Sequence, residues 1–589
     1  MNYSELMDFF TLLKQARKVA NSNNEDAIRI AVLGSHSIQH FVGVLRYLLL
    51  KENIEANIFE SEYNGILMNV LDDKSQLYKF NPQIVIIMTY YTDVKEFPEL
   101  LSNKEEIDYF VDKNIDVYKN IWNKLSRIKG CSILQTNFVV PVLREIGNLE
   151  SNYLFSKSNF YRLINLKLIE QKYKNVTIID MDSLASNVGK YNWFDNTAYF
   201  LNKSGFKMDY IGLVADIFTK QILAIKGKAK KCLILDLDNT LWGGVVGDNG
   251  YDGIQLNPNN PIGEAYLSFQ KYVLGLKKRG VILAICSKNN LEIAQEPFLL
   301  NKEMLIKLDD IACFVANWNN KADNIKLISE ELNIGTDSFV FFDDNKTERE
   351  IVSKYLPEVT VIDVPDDPAD YALALEKSNA FEWLQITKED LKRTNSYINN
   401  KKRNELKNNF VDYDEFLENI EMTGELSEIR EEDIDRFVQL INKSNQFNLT
   451  TKRYANSDII NMLKNPSYKC LNMKLKDKFD NYGIVSCVIL YIEKDVCFID
   501  TWLMSCRVLK RTVEDFIFNE IVDISLNLGV KKIIGKYIKT KKNMMVSNFY
   551  NEMGFNKIEN DNDKSDTELF ELNDLIREKR KTYIYKNNL

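Results

Sequence analysis

Short apolar runs alternate with amphipathic segments along residues 1–225 of the chain. The apolar runs predict buried strands, and the segments between them have the periodicity of helices. This alternation is typical of a parallel sheet covered by helices. The predicted strands are IRIAVLG (28–34), ANIFES (56–61), QIVIIMT (83–89), SILQT (132–136) and VTIIDM (176–181).

Residues 228–385 repeat the same alternation. Between the first two runs lies a helix with clear boundaries: Asn260 is the expected N-cap, Pro261 the first residue and Gly280 the C-terminal end. In open α/β sheets, functional side chains lie where the strands end at their C-termini. The predicted strands are CLILDLD (232–238), VILAICS (281–287), IACFVAN (311–317), SFVFFDD (338–344) and VTVIDV (359–364).

The third part of the chain has a different pattern. After the charged stretch 401–409, a strand and a helix precede the adjacent strands 468–475, 483–491 and 496–504. Successive strands with few helices between them indicate an α+β domain with mainly antiparallel pairing. We therefore predict three domains, over residues 1–227, 228–385 and 386–589, in an α/β multidomain protein.

Composition narrows the class of protein. The 76 basic and 84 acidic residues give a net charge of −8 over 589 residues, which gives no signal for binding nucleic acid or an anionic membrane. The 8 cysteines have no paired short spacing, as expected for reduced thiols. The N-terminus lacks the pattern of a signal peptide, and no apolar run is long enough for a membrane span. We expect a cytoplasmic protein.

Two carboxylates follow the first strand of the middle domain. Asp236 and Asp238 lie two residues apart at the strand end, so both project to the same side. Asp236 can attack phosphorus to form an aspartyl-phosphate, and Asp238 can protonate the leaving oxygen and later activate water. The pair predicts phosphoryl transfer.

The remaining parts of such a site appear in order downstream. We assign Thr240, Ser287 and Lys321 to phosphate binding, and Asp343-Asp344 to a Mg²⁺ ion. Asp344 is the expected direct ligand with Asp343 as its support, and Asp236 and Asp238 complete the predicted metal site. Each fragment is weak by itself, but four of them in order at successive strand ends indicate one active site.

These motifs resemble those of the haloacid dehalogenase superfamily, and more closely those of its FkbH-like branch in subfamily IIIC. The resembling stretches are DLDNTLWGGVVGDNG (236–250), ICSKNN (285–290), ANWNNK (316–321), FVFFDDN (339–345), NQFNLTTKRY (445–454) and DTWLMSCRV (500–508). The resemblance implies an SGNH- or flavodoxin-like N-terminal sheet, a Rossmannoid phosphatase core and a GNAT-like C-terminal domain. It also implies an enzyme that dephosphorylates 1,3-bisphosphoglycerate and loads a D-glyceryl thioester onto an acyl carrier protein with a phosphopantetheine arm.

The resemblance has departures in both flanking domains. Ser35 follows the first strand, but the only histidines are His36 and His40, so no late histidine base is available and we expect a non-catalytic domain. In the C-terminal domain, Arg507–Thr512 lacks the glycines of a pyrophosphate-binding loop, although Lys510 and Arg511 offer charge. Acetyl-CoA use is therefore not expected there, whereas binding of a phosphopantetheine arm is compatible with the sequence.

Several alternatives remain open at this point. Residues 239–286 contain only the WGGVVG hairpin and one helix, so we expect no large cap over the site. Cys506, beside basic residues, and Cys286, beside Ser287, are candidate acyl carriers, and each has the alternative role of a small buried residue. The alternatives to glyceryl transfer are a plain phosphatase on another phosphorylated small molecule and a non-catalytic assembly scaffold.

Overall fold

The computed structural model describes residues 3–22, 24, 26–391, 399, 410, 412–540, 542–558 and 566–586, so the charged stretch 401–409 lies outside it. The described chain contains three sheets, two of five strands and one of eight. Its contacts divide it into two compact units. The first is Met1–Ile222 with Ala455–Asp458, and the second is Leu223–Tyr454 with Ile459–Leu589.

The first unit contains a parallel sheet with strand order β2-β1-β3-β4-β5. The strands are β1 Ile28–Gly34, β2 Ala56–Glu60, β3 Ile84–Met88, β4 Ser132–Thr136 and β5 Val176–Ile179. The helices are α1 Tyr3–Met7, α2 Phe9–Ala16, α3 Gln39–Lys51, α4 Ile66–Leu71, α5 Gln76–Phe80, α6 Lys104–Leu125, α7 Lys157–Glu170, α8 Met181–Val188, α9 Lys190–Trp193, α10 Asn196–Asn202 and α11 Ile211–Ile225. All five predicted strands form, and β3 is buried throughout because helices cover both faces.

The second sheet is also parallel, in the order β10-β9-β6-β7-β8. Its strands are β6 Cys232–Leu235, β7 Ile282–Ser287, β8 Cys313–Ala316, β9 Phe339–Phe342 and β10 Thr360–Val361. Its helices are α12 Val246–Gly253, α13 Pro261–Lys278, α14 Leu291–Leu300, α15 Lys321–Leu332, α16 Lys346–Tyr355, α17 Tyr371–Lys377 and α18 Lys388–Leu391.

Helix boundaries in this sheet follow the predicted signals, with one correction. Asn260 caps α13, its side chain accepting from the Ile262 N–H at 2.9 Å. The stretch predicted as a plain hairpin instead closes by a Gly243–Gln255 bridge around the short helix α12. Only α12 and α13 lie between β6 and β7, so no large cap domain is inserted there.

The third sheet has the order β16-β17-β15-β14-β13-β12-β11-β18 and is mainly antiparallel, as predicted. Its strands are β11 Met422–Glu428, β12 Tyr468–Lys476, β13 Asn481–Glu493, β14 Val496–Met504, β15 Lys532–Ile538, β16 Asn556–Ile558, β17 Thr567–Leu572 and β18 Ile584–Lys586. Its helices are α19 Tyr413–Asn419, α20 Ile434–Lys443, α21 Asn456–Leu463, α22 Val513–Asn527 and α23 Phe549–Glu552. Two parallel pairs, β14 with β15 and β11 with β18, make the sheet mixed.

None of the helices that the structure describes combines the length and the apolar character that crossing a bilayer requires.

Gln270 of α13 ties the loop after β6 to the loop before β8, and it is 0% exposed. Its amide donates to the Leu241 carbonyl at 2.8 Å and accepts from the Leu305 and Ile306 N–H groups at 3.0 and 3.2 Å. Gln270→Leu should lower the free energy of unfolding by at least about 2 kcal/mol, because each orphaned buried group costs ~1–3 kcal/mol. Chemical denaturation of the full chain measures this. Lys271→Leu, on the exposed side of α13, is the control, and equal effects of the two would contradict the role of Gln270.

Candidate active site

Asp236 follows β6 directly, and the chain turns sharply just after it. The Asp236 N–H donates to the Phe342 carbonyl at 3.1 Å, which extends the ladder between β6 and β9 by one residue. Asn239 then adopts a positive φ of 54°, a conformation that asparagine tolerates better than most residues. The turn ends the strand and leaves Asp236 at the carboxyl edge of the sheet.

Three predicted carboxylates meet at this edge. Asp236, Asp343 and Asp344 each place one oxygen within 4.8 Å of the others, a spacing that suits a shared metal ion. Asp343 is 0% and Asp236 7% exposed. Within the described chain, the buried Oδ1 of Asp236 accepts no well-aligned hydrogen bond, and the Lys321 ammonium lies 3.0 Å from it.

Lys321, the first residue of α15, supplies the positive charge inside the cluster. Its Nζ lies 2.5 Å from Oδ2 of Asp343 and 3.0 Å from Oδ1 of Asp236. Burial opposes the charged ammonium, but the charges of Asp236 and Asp343 outweigh it and raise the pKa of Lys321. The group therefore stays protonated at neutral pH.

The carboxylates outnumber this ammonium by three to one. Burial and the charge of Asp236 raise the pKa of Asp343 to about 7, and the same two causes raise the pKa of Asp344. A surplus of buried negative charge is stabilised by a hard divalent cation with oxygen ligands. The residues present therefore fit a metal ion held by Asp236 and Asp344, with the Lys321 ammonium paired with Asp343 and Asp236.

Asp238 is not among the three residues whose carboxylate oxygens cluster, so its role as a metal ligand stays a prediction. Its Oδ1 accepts from the Trp242 indole and the Val246 N–H, each at 2.9 Å, and its Oδ2 accepts from the Asn289 amide at 3.1 Å. Burial raises the pKa of Asp238 against these donors. A carboxyl group that is fixed in direction and more readily protonated suits a general acid.

The predicted phosphate ligands differ in their surroundings. The Thr240 hydroxyl donates to Oδ1 of Asp344 at 3.2 Å and accepts from the Asp344 N–H at 3.3 Å, and its phosphate-binding role stays a prediction. Ser287 ends β7 at the same edge and is 2% exposed. Lys321 is already paired with two carboxylates, so a phosphoryl group would have to share it with them.

Three positioning residues escaped the sequence analysis. Trp242 and Asn289 orient Asp238, and Arg349 donates from Nη1 to the Asp343 and Asp344 carbonyls at 2.8 and 2.7 Å. Each lies within six residues of a predicted motif residue, so distance along the chain could have drawn attention to them. Their partners, however, become apparent only when the loops are folded together.

The structure describes the surroundings of only one of the two candidate cysteines, Cys286. Cys286 is 0% exposed, its Sγ lies 3.8 Å from the Lys321 carbonyl, and burial raises the thiol pKa far above its ordinary value. This environment favours a packing role for Cys286. The side chain of Cys506 lies outside the described part of the chain.

In the first unit, Ser35 contacts a carboxylate and not an imidazole. Its hydroxyl donates to Oδ2 of Asp93 at 2.5 Å. His36 is buried, its Nδ1 lies 3.0 Å from the Ser37 carbonyl, and burial lowers its pKa to about 4. These contacts agree with the expected non-catalytic role, which stays a prediction.

The Arg507–Thr512 stretch, which follows β14, also differs from a phosphate-binding loop. Arg511 is 9% exposed, donates to the Tyr482 hydroxyl at 2.8 Å and lies 3.6 Å from Asp477. Its charge is therefore already committed to a buried carboxylate, whereas Lys510 is exposed.

Comparisons with known proteins agree with this geometry. The family model of the FkbH N-terminal domain matches residues 29–223. A crystal structure of the N-terminal part of the protein BF1531 from Bacteroides fragilis, containing a phosphatase domain complexed with Mg, is 35% identical with a TM-score of 0.59. The match covers 64% of this chain and 99% of the BF1531 structure. No curated protein matches the chain.

Acetyltransferase structures match about a quarter of the chain. The ribosomal-protein-S18-alanine N-acetyltransferase from Escherichia coli is 12% identical with a TM-score of 0.21, covering 26% of this chain and 93% of its own. PaiA N-acetyltransferase from Thermoplasma acidophilum, in complex with coenzyme A, is 14% identical with a TM-score of 0.20. That match covers 25% of this chain and 98% of the PaiA structure. Likenesses this weak carry no argument about function. The 35% identity over nearly all of the BF1531 structure, together with the match of the N-terminal family model, shows the family. The chain belongs to the FkbH-like family and is an enzyme with a phosphatase domain.

Proposed function

We propose that the second domain is a magnesium-dependent phosphatase and that the chain transfers a D-glyceryl unit from 1,3-bisphosphoglycerate to an acyl carrier protein. The observation that carries the phosphatase part is the buried contact of Lys321 with Asp236 and Asp343, next to Asp344. The transfer part is supported by the resemblance of six sequence stretches to the FkbH-like branch. It is also supported by the absence of a large cap between β6 and β7, since an uncapped site suits a tethered substrate.

In the first step, Asp236 is the nucleophile. One of its carboxylate oxygens forms a bond to phosphorus, and the bond from phosphorus to the ester oxygen breaks. Asp238, held by Trp242 and Asn289, gives its proton to the departing oxygen. The products are the free alcohol and an aspartyl-phosphate.

In the second step, water releases the phosphate. Asp238, now a carboxylate, takes a proton from water, whose oxygen bonds to phosphorus while the bond to Asp236 breaks. The Lys321 ammonium orients Asp236 for both steps. When bound, Mg²⁺ would be held by Asp236 and Asp344 and would neutralise charge on the phosphoryl oxygens.

The acyl transfer requires a thiol and no help from Asp236. A thiolate bonds to the carboxyl carbon of the acyl phosphate, the bond from that carbon to the phosphate oxygen breaks, and inorganic phosphate leaves. The remaining phosphate ester is then hydrolysed at Asp236. Because Cys286 is sealed in the interior, the acceptor that we favour is the phosphopantetheine thiol of the carrier.

Two other functions predict different outcomes. A plain phosphatase would release phosphate from a small molecule and leave a carrier unmodified. An assembly scaffold would bind the carrier without turnover. The scaffold function is disfavoured by the buried ion pairs of Lys321. Burying the charges of Lys321, Asp236 and Asp343 gains little for a site without chemistry.

The hydrogen bond from Asn289 to Asp238 predicts a dependence on the leaving group. Asn289→Leu should slow hydrolysis of an alkyl phosphate by about tenfold, part of the ~10²–10⁴-fold that general acid catalysis supplies. Hydrolysis of p-nitrophenyl phosphate should change much less, because its leaving group needs little protonation. Steady-state kinetics with both substrates measure this. Asn259→Leu, an exposed asparagine in the same domain, is the control. Equal losses with both substrates would reject the positioning role.

The raised carboxyl pKa values predict how metal binding depends on pH. Asp343 favours the protonated form in the fold, so the stability that it contributes is present below pH 3.8 and is lost as pH rises to about 7. Mg²⁺ competes with those protons. Adding Mg²⁺ should therefore raise the melting temperature more at pH 8 than at pH 5.

Two variants control this measurement. Asp344→Asn should remove most of the Mg²⁺ response, and Asp248→Asn, an exposed carboxylate in the same domain, should keep it. A Mg²⁺ response that is equal at both pH values, or that survives in Asp344→Asn, would contradict the assigned site.

The complete proposal predicts two masses for the carrier. With 1,3-bisphosphoglycerate, the wild-type enzyme should load a glyceryl group onto the carrier thiol. Asp236→Asn should load a form heavier by one phosphoryl group, because its amide cannot form the aspartyl-phosphate. Intact-protein mass spectrometry of the carrier distinguishes the two.

The outcomes separate the candidate functions. An unmodified carrier together with phosphate release would indicate the plain phosphatase. Acyl groups found by peptide mapping on Cys506 or Cys286, and not on the carrier, would move the acceptor thiol to the enzyme.

A further inference from the structure

The loop after β8 exposes Trp318 to solvent, and this residue is 76% exposed. Tryptophan is among the more buried residue types on average. The other five tryptophans of the chain are Trp122, Trp193, Trp242 and Trp502, which are buried, and Trp383, which is half-buried. Trp318 lies two residues beyond β8 and three before Lys321, so it stands at the carboxyl edge of the sheet, beside the candidate active site.

The loop around Trp318 is fixed by hydrogen bonds. The Asn317 N–H donates to the Ser287 carbonyl at 3.2 Å. Oδ1 of Asn317 accepts from Nδ2 of the buried Asn324 at 2.8 Å and from the Asn319 N–H at 2.9 Å. A mobile loop would lose conformational entropy when a ligand bound, whereas this loop already presents the indole ring in one place.

Two neighbouring loops also expose apolar side chains. Val245, in the loop after β6, is 40% exposed, and Leu291, which begins α14 after β7, is 41% exposed. Val245 precedes Val246, whose N–H donates to Asp238, and Leu291 follows two residues after Asn289, whose amide donates to Asp238. Since β6, β7 and β8 are adjacent in the sheet, the three exposed side chains belong to neighbouring loops at one edge.

The loops after β9 and β10 present a different surface at the same edge. Their exposed residues are mostly polar and include Asn345, Lys346, Asp363 and Asp366. The exposed apolar surface therefore lies on the side of β6, β7 and β8. This is the side of Asp238, the group that we propose protonates the departing oxygen, so the organic part of the substrate would extend over it.

The size of this surface indicates a narrow ligand. A tryptophan buries at most ~250 Å², so this ring, a valine and a leucine together offer a few hundred Å². A folded partner usually buries ~800 Å² on each side. Neighbouring strands are ~4.8 Å apart, so the three loops extend over roughly 10 Å. These dimensions suit an extended flexible chain and not the surface of a folded protein.

We propose that Trp318, Val245 and Leu291 bind the pantetheine arm that carries the phosphoglyceryl group, and that Trp318 determines specificity for this tethered substrate. The inference rests on the function proposed above. In a phosphoglyceryl thioester only two carbon atoms lie between the ester oxygen and the thioester carbon, so the arm begins beside the site. Its methyl and methylene groups and its planar amides can pack against an indole ring.

Phosphate release from two synthetic esters by the full chain tests the inference. One is the 3-phosphoglyceryl thioester of pantetheine. The other is the corresponding S-methyl thioester, which has the same phosphate ester without the arm. The wild-type enzyme should have the higher kcat/KM with the pantetheine thioester, because contacts remote from the reacting atoms contribute to the rate.

Variants locate the contact. Trp318→Ala should lower kcat/KM for the pantetheine thioester by at least about tenfold, and for the S-methyl thioester much less. Trp318→Phe, which keeps an aromatic ring, should restore most of the preference. Leu291→Ser provides a second test of the same surface if Trp318→Ala does not fold. Tyr355→Ala is the matched control, because Tyr355 is 59% exposed at the end of α16, toward the opposite edge of the sheet.

The outcomes separate this inference from the proposed function. Equal losses with both esters in Trp318→Ala, or an unchanged preference in both Trp318→Ala and Leu291→Ser, would overturn the inference alone. A wild-type enzyme that loads the carrier but does not prefer the pantetheine thioester would also overturn only the inference. Failure to load the carrier in the mass measurement described above would remove the proposed function and the inference with it.

Discussion

The charge balance around the Lys321 ammonium is the constraint on which the candidate active site depends. Three carboxylates converge on this single buried cation, and removing ions from water costs several kcal/mol each unless partners compensate. Lys321 satisfies Asp236 and Asp343 only in part. The remaining negative charge suits a divalent cation, and such a cation would attract the phosphoryl group that we propose Asp236 attacks.

The fold supplies this convergence through the carboxyl edge of a parallel sheet. β6, β7 and β9 end there side by side, and α15 begins there, so residues more than a hundred positions apart meet. A second layer then fixes their directions. The Thr240 hydroxyl and the Arg349 guanidinium donate to Asp344, and the Asn289 amide donates to Asp238.

Much of this could be predicted from the chain alone. The strands of both parallel sheets are buried on two faces, so each is recognisable in the sequence as a continuous apolar run. Asn260 and Pro261 mark the start of α13 because they are an N-cap residue and a first-turn proline. Asp236, Lys321, Asp343 and Asp344 were predictable because each directly follows a strand or begins a helix. Thr240 and Asp238 were only partly predictable. Their hydrogen-bond partners lie on other loops, and spacing cannot show whether a carboxylate faces a metal or an amide.

The central claim is that Asp236 becomes phosphorylated during turnover. Turnover of a phosphorylated substrate with Mg²⁺ can be quenched with acid and treated with borohydride, which reduces an aspartyl-phosphate to homoserine. Peptide mass spectrometry then locates the modified position. The account predicts homoserine at residue 236 in the quenched wild-type enzyme, and none when substrate is omitted. Efficient phosphate release with an unmodified Asp236, or with the modification at another aspartate, would contradict it.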